Sequence, residues 1–348
     1  MTQEEYIELV REYNIAKATI SKSATIKDCF SKNKKECAEP IVNAHSLQRQ
    51  GALKQLESNR DGNMILYSHT ERQHNKEHDF LDLKPIGRKA ASTFYGFCSF
   101  HDTNIFSKIE NDPESTDINS DEHCFLHSYR SFAHSYHRKY EELKFYESKE
   151  EEIVKLHKKL HGEKGLDFAI KGVRTALQDL SKPKELLDNW LENKEFDKLD
   201  YLCYEYPYRI PVACAASTSP AYNYKNKPIN ISINPNYQYS NIITTVIPFK
   251  NRSIVILAAF ENEPNGSSYL DDIDNIEYEL IQQKFISYHI ISGAENCYIS
   301  PDFYDSKRIE WKKNYCQMID YIANHYTPHM GFNKHFPINY FDKSQALQ

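Results

Sequence analysis

Glycine is scarce in this chain, with ten residues in 348. Loops that cradle phosphates need several glycines at fixed spacing. Neither G-x-G-x-x-G nor G-x-x-x-x-G-K-[ST] occurs, which excludes those dinucleotide and P-loop sites. No run of about 18 apolar residues is present, so no membrane-spanning helix is expected. The opening residues Met1-Thr2-Gln3-Glu4-Glu5-Tyr6 are acidic and lack an apolar stretch, so no targeting segment is expected. Eight cysteines are too sparse for a disulfide scaffold of this length. A reducing, cytoplasmic setting is therefore expected, and clustered cysteines are read first as metal ligands. A dominant charge of one sign is missing as well. At a net charge of −6, nucleic acid can be held only by local basic patches, not by the field of the whole protein.

What is present belongs to a folded chain, 40% apolar and 26% charged, too long to favour a single core. The apolar pattern is of α+β type, in three segments: residues 1–122, 123–197 and 198–348. Tyr6, Ile7, Leu9, Val10, Tyr13 and Ile15 form the apolar stripe of a helix over 1–23. Short strands are expected at Ile41-Val42 and Met64–Tyr67, and helices over Leu47–Leu56 and Asn104–Glu110, with polar 69–84 as a loop. The middle reads as helices over Phe125–Tyr146, Glu150–Leu160, Leu166–Leu180 and Pro183–Asn193, the last with proline in its first turn. Beyond residue 198 the period changes to β, at Pro211–Ala216, Ile229–Ile233, Ile242–Pro248 and Ser253–Phe260. Helices return at Asp271–Ser292 and Trp311–His325. This last segment has no catalytic signature and reads as a mixed α/β domain for recognising a protein partner or substrate. Its tyrosine pairs, Tyr222/Tyr224 and Tyr237/Tyr239, suit either base stacking or a sheet face.

The chemistry is concentrated in the first third. Cys29 and Cys37 flank a lysine-rich loop, and Cys98-Ser99-Phe100-His101 forms a compact knuckle. Three thiolates and one imidazole make a Cys3His set suited to tetrahedral Zn²⁺. His45 follows a short strand and Asp102 follows the last ligand, so an imidazole and a carboxylate remain beside a closed metal site. His45 is a candidate general base; its alternatives are a structural hydrogen bonder or the fourth zinc ligand in place of His101. Lys32, Lys34, Lys35, Arg49, Arg88 and Lys89 are the basic residues near this module, with Arg49, Arg88 and Lys89 the main candidates for contacting nucleic acid.

The order Cys…Cys…His…Cys-x-x-His-Asp resembles the zinc-bound variety of the HNH (ββα-metal, His-Me finger) endonuclease domain. That resemblance implies an N-terminal ββα-metal-like module with structural zinc at Cys29, Cys37, Cys98 and His101. It further implies His45 as general base and Asp102 as ligand of a catalytic Mg²⁺ or Mn²⁺, with nucleic-acid cleavage as the activity. Three departures stand out: Ala44 replaces the acidic residue that often precedes the base, His45 and Cys98 are 53 positions apart, longer than in a compact HNH unit, and the asparagine that orients the base is not assigned, Asn63 being a candidate. The phrases Ile41-Val-Asn-Ala-His-Ser-Leu-Gln48, Ala91–Asp102 and Glu295-Asn-Cys-Tyr-Ile-Ser-Pro301 also resemble a group of bacterial proteins, and some nucleases of the broad superfamily serve in phage defence. The competing class is a zinc-stabilised binding or regulatory protein without catalysis. A third reading rests on Arg130, His134 and His137, which share a helix side and weakly resemble the Arg…His motif of HEPN ribonucleases.

Overall fold

The computed structural model describes residues 3–38, 40–231, 237–261, 263, 265–324 and 331–347. It is a mixed α+β protein, and its largest element is an eight-stranded antiparallel sheet. Helix α1 (Gln3–Ala24) leads to strand β1 (Ile41–His45), short helix α2 (Ala52–Leu56), and strands β2 (Ser58–Arg60), β3 (Asn63–Asn75), β4 (Phe80–Gly87) and β5 (Thr93–Cys98). Helices α3 (Ser99–Glu110), α4 (Asp121–Glu147), α5 (Glu151–His161) and α6 (Gly165–Asn193) follow. Strands β6 (Leu199–Tyr206), β7 (Val212–Thr218), β8 (Ile242–Pro248) and β9 (Ser253–Phe260) precede α7 (Gly266–Asp274), α8 (Glu279–Gly293), β10 (Cys297–Ile299), α9 (Pro301–Asp305) and α10 (Ile309–Asn324).

The sheet runs β2-β3-β10-β7-β8-β9-β6, with β4 on the free side of β3. It thus draws strands from the first and the last of the three expected segments. Every residue of β8 and β9 is buried, and the side chains alternate between two cores. Val255, Leu257 and Ala259 face a core with Ile273, Phe285 and Ile290 from α7 and α8. Ala258 and Phe260 face the other side, with Phe132 of α4 and Leu187 and Trp190 of α6. Helices on both faces explain why these strands read as near-continuous apolar runs, which is unusual for an antiparallel sheet.

Several elements depart from the sequence expectation. The supposed loop at 69–84 is mostly the β3–β4 hairpin, whose register slips between Ser68 and Arg72. Its polar composition reflects a place near the sheet edge, where many side chains meet water. The β2–β3 turn is closed by Asp61-Gly62, both at positive φ (51° and 82°), the type I′ geometry that Asp-Gly favours. The helix expected over Leu47–Leu56 is confined to α2. Pro183 does not begin a helix: α6 is continuous, and its proline is buried within it. The helix expected over 271–292 is two, α7 and α8. Strand β6 was not anticipated. The strand expected at 229–233 extends into residues outside those described, as does His325. Tyr224 packs on Phe285 and Phe332, so it belongs to the core rather than to a stacking surface.

Apart from the large sheet, β1 and β5 pair antiparallel, with Ile41 opposite Cys98 and His45 opposite Thr93. Residue Asn296 fastens this pair to the sheet. Its Nδ2 donates toward Ser46 Oγ (2.8 Å), Ser92 Oγ (3.1 Å) and Ala215 O (3.0 Å). Tyr298 OH accepts from the Ser92 amide at 2.6 Å. Three separate sequence phrases, the last of them 204 residues beyond the second, thereby meet beside His45. Asn296→Ala leaves buried partners of this amide unsatisfied, so stability should fall by about 1–3 kcal/mol, read from urea unfolding midpoints. An unchanged midpoint would show that Tyr298 suffices.

Candidate functional site

The strand pair β1/β5 and helix α3 place four metal donors around one point. Cys29 lies beside β5 because its neighbours are tied to that strand, Asp28 N to Tyr95 O and Phe30 N to Gly96 O. Cys37 follows a short turn of 3-10 helix at Lys34–Glu36 and is the most exposed of the four. Cys98 ends β5 and caps α3, its sulfur accepting from the His101 amide at 3.5 Å. His101 Nδ1 then lies 3.1 Å from Cys98 Sγ, 3.5 Å from Cys29 Sγ and 3.7 Å from Cys37 Sγ. All four ligand atoms fall within 4.8 Å of one another. A tetrahedron with Zn–S near 2.3 Å and Zn–N near 2.0 Å has S···N edges of about 3.5 Å, so the cluster fits a metal ion such as zinc. The fourth donor is His101; His45 is not part of the cluster. Burial pushes the Cys29 thiol up to about 12. Burial acts the same way on Cys98, but the amides of His101 and Ala38 and the neighbouring thiols outweigh it and bring that thiol below its ordinary value. A bound divalent ion would take all three as thiolates.

Beside the cluster lies an open cavity of about 360 Å³. His45, from the end of β1, and Asp102, from the first turn of α3, both line it. His101 and Asp102 are successive residues on a helix, about 100° apart around its axis, so one serves the cluster and the next the cavity. Burial lowers the His45 pKa, and the positive charges of Arg130 and Arg49 lower it further. Its ring hydrogen-bonds the Arg88 backbone, whereas Nε2 is buried without a partner. The imidazole is therefore held neutral near pH 7.

Two lining residues give the cavity a character that the spacing of the motif did not reveal. Arg130, from the middle of α4, is 2% exposed. It donates to Asp102 Oδ1 at 3.2 Å and to Glu110 Oε1 at 2.5 Å, and its guanidinium sits 4.5 Å from the centre of the Phe106 ring. Burial raises the Asp102 pKa and Glu110 adds to the rise, while Arg130 opposes it. Glu110 carried no signal in the sequence beyond ending an expected helix. In the sequence, Arg130 stands out only together with His134 and His137. Those two histidines are buried against Phe94 and do not line this cavity; His137 Nε2 bonds Ile26 O at 2.9 Å.

The other expected residues are dispersed. Arg49 lines the cavity. Arg88 stands next to it, in contact with Arg49 O (3.5 Å) and paired with Glu57 at 3.2 Å, and Lys89 is exposed. Lys32 and Lys34 are engaged by Glu192 and Asp28. Asn63 lies in the β2–β3 hairpin, not at the cavity; the asparagine there is Asn43. Of the hairpin histidines His69, His74 and His78, the first is buried in the sheet and the second pairs with Asp79 at 2.9 Å, and none of them belongs to a metal cluster among the described residues. No helix among the described residues is long and apolar enough to cross a membrane.

Neither a family model, nor a curated protein, nor a solved structure matches this chain. The donor set nonetheless makes a direct prediction. Elemental analysis should find one tightly held zinc per chain. Cys98→Ser should remove most of it and lower the melting temperature, because the same sulfur is a ligand and the cap of α3. Metal-free protein that melts like the native form would refute the assignment.

Proposed function

We propose that this protein is a metal-dependent nuclease of the zinc-bound HNH type, hydrolysing nucleic-acid phosphodiesters, with a role in phage defence suggested by the resemblance of its sequence phrases. The observation that carries this reading is the convergence of His45 and Asp102 on one solvent-reachable cavity next to the Cys3His cluster. The order of elements, two antiparallel strands followed by a helix that begins at a zinc ligand, supports a ββα-metal module.

In this reading, neutral His45 accepts a proton from the attacking water as the new P–O bond forms and the bond to the leaving oxygen breaks. Asp102 and Glu110 are the carboxylates placed to hold a Mg²⁺ or Mn²⁺ ion, which when bound supplies charge stabilisation to the transition state. Arg130 keeps both carboxylates oriented and adds a fixed positive charge to the cavity. Arg49, Arg88 and Lys89 extend that charge toward the surface, where phosphates of the flanking strand would lie.

A second reading has one observation in its favour. Arg130 already engages Asp102 and Glu110, so a zinc-stabilised binding protein would need no further cation there. The two readings separate in a plasmid-nicking assay with Mg²⁺ or Mn²⁺. Salt-sensitive DNA or RNA binding without cleavage would replace the nuclease by the binding protein.

If the nuclease reading is right, His45→Ala should cut the nicking rate at least about 10²-fold, the scale of general-base catalysis, while zinc content and melting stay as in the native chain. The pH profile adds a check. A base must be unprotonated, and the His45 pKa is lowered, so the rate should hold down to pH 6.5 and fall only at lower pH. An acid limb centred above 6.5 would remove His45 from the role. Replacing Arg88 and Lys89 by Gln should weaken nucleic-acid binding and make the log K against log salt slope shallower by roughly 1–2. An unchanged slope would take these residues out of the interface.

A further inference from the structure

Two thiols that have no part in the metal cluster face each other where α4 meets β6. Cys124 Sγ and Cys203 Sγ are 3.8 Å apart, on residues separated by 79 positions in the chain. Cys124 stands at the start of α4, where its amide donates to Ser120 O at 3.0 Å. Cys203 lies in the middle of β6, the edge strand of the large sheet, opposite Ile256 of β9. Both backbones are thus held by regular structure, and the two side chains are left pointing at one another. Closing the sulfur pair to the ~2.05 Å of an S–S bond needs less than about 1 Å of movement from each sulfur.

The two thiols are not equivalent. Cys124 is 1% exposed, in the core that also holds Leu56 and Ile247, whereas Cys203 is half-buried. The carbonyl oxygen of Ile118 can only accept, and it lies 3.4 Å from Cys124 Sγ, so the proton stays on Cys124. The contact with Cys124 brings the Cys203 thiol below its ordinary pKa, against burial and the charge of Asp121. The same contact raises Cys124 well above its own, and burial adds to the rise. The more accessible residue is therefore also the one closer to its thiolate, the form that oxidants attack.

The remaining cysteines lack this combination. Cys29, Cys37 and Cys98 belong to the metal cluster. Cys214 and Cys297 oppose each other across β7 and β10, but they are 0% and 1% exposed, and burial holds the Cys297 thiol far above its ordinary value. Cys316 is buried against Tyr304 OH, 3.4 Å away.

We propose that Cys124 and Cys203 are a redox site, closing to a reversible intramolecular disulfide when a peroxide oxidises them. The Cys203 thiolate attacks one oxygen of hydrogen peroxide. An S–O bond forms, the O–O bond breaks, and hydroxide leaves to take up the proton that Cys203 released. Cys124 then attacks the sulfenic acid on Cys203. The S–S bond forms, the S–O bond breaks, and the oxygen leaves as water with the Cys124 proton. Two thiols are oxidised by two electrons in total, and one peroxide is reduced to two waters. A dithiol that cycles in this way suits a reducing compartment, where lasting disulfides are rare. The bridge would tie α4, the helix that carries Arg130, to the sheet edge. It does not depend on the nuclease reading.

The test is treatment of the full, zinc-loaded chain with equimolar hydrogen peroxide, then alkylation of free thiols in denaturant and peptide mass mapping. The linked Cys124–Cys203 peptide pair should be the main oxidised product, and dithiothreitol should restore both thiols. The oxidised chain should melt a few degrees higher than the reduced one, because the bridge closes a long loop in the unfolded state. Cys124→Ser should leave Cys203 as a sulfenic acid that dimedone traps. Cys203→Ser should leave Cys124 as a free thiol. Cys203 is half-buried on an edge strand, so that variant keeps the fold, and an unaltered melting curve verifies it. Recovery of Cys124 and Cys203 as free thiols, with oxidation confined to Cys29, Cys37 and Cys98 and loss of zinc, would overturn the proposal. So would a Cys203–Cys203 link between two chains, seen as a dimer on a non-reducing gel.

Discussion

The buried guanidinium of Arg130 is the constraint on which the candidate site depends. An arginine at 2% exposure carries a desolvation cost of several kcal/mol. That cost is offset by two partly solvated carboxylates, Asp102 and Glu110, and by the face of Phe106. All three partners belong to α3, whereas Arg130 belongs to α4. The ion triad therefore joins the helix that bears the metal knuckle to the helix that packs on the sheet, where Ser131 also meets Thr245 at 2.8 Å. Losing the guanidinium would leave two carboxylates unpaired and reduce the α3–α4 junction to its apolar contacts, such as Phe106 on Tyr129.

Helix α3 divides its work by geometry. Cys98 caps it, His101 completes the donor set, Asp102 turns to the cavity, and Glu110 returns to that cavity two turns later. A metal at the cluster would fix the start of this helix, and the Arg130 triad fixes its end. The cavity between them is held at both edges without contributions from flexible side chains alone. On the opposite wall, His45 is positioned by strand pairing with β5 and by the Ser46–Ser92–Asn296 network, so a segment near the C-terminus sets the place of a residue near the N-terminus.

Local chemistry was legible where one signal dominated. Cys98-x-x-His101 reads correctly because the spacing puts both donors on the first turn of a helix, a geometry the backbone dictates. The buried strands β8 and β9 read correctly because the apolar runs are long and bounded by turn residues. The hairpin of β3 and β4 was hidden because its edge position admits His, Glu, Arg and Gln on both faces, and a register slip interrupts the alternation. The continuity of α6 through Pro183 was hidden because a local helix breaker was overruled by burial of its flanking leucines, Leu180 and Leu187, against the sheet side.

The sequence by itself determined the donor chemistry, the α+β character and the pairing of a ligand with a carboxylate at His101-Asp102, since these follow from residue type and short spacing. Only the tertiary structure decided which groups share a cavity. Glu110, Arg130 and His45 come from three separate elements, and no periodicity relates them. Arg130 moved from a loose motif with His134 and His137 to the centre of the Asp102–Glu110 pair, because helix packing turned its side chain toward α3 while the histidines were buried on Phe94. A site's electrostatics is a property of distances in space, and for residues far apart in sequence only packing sets those distances.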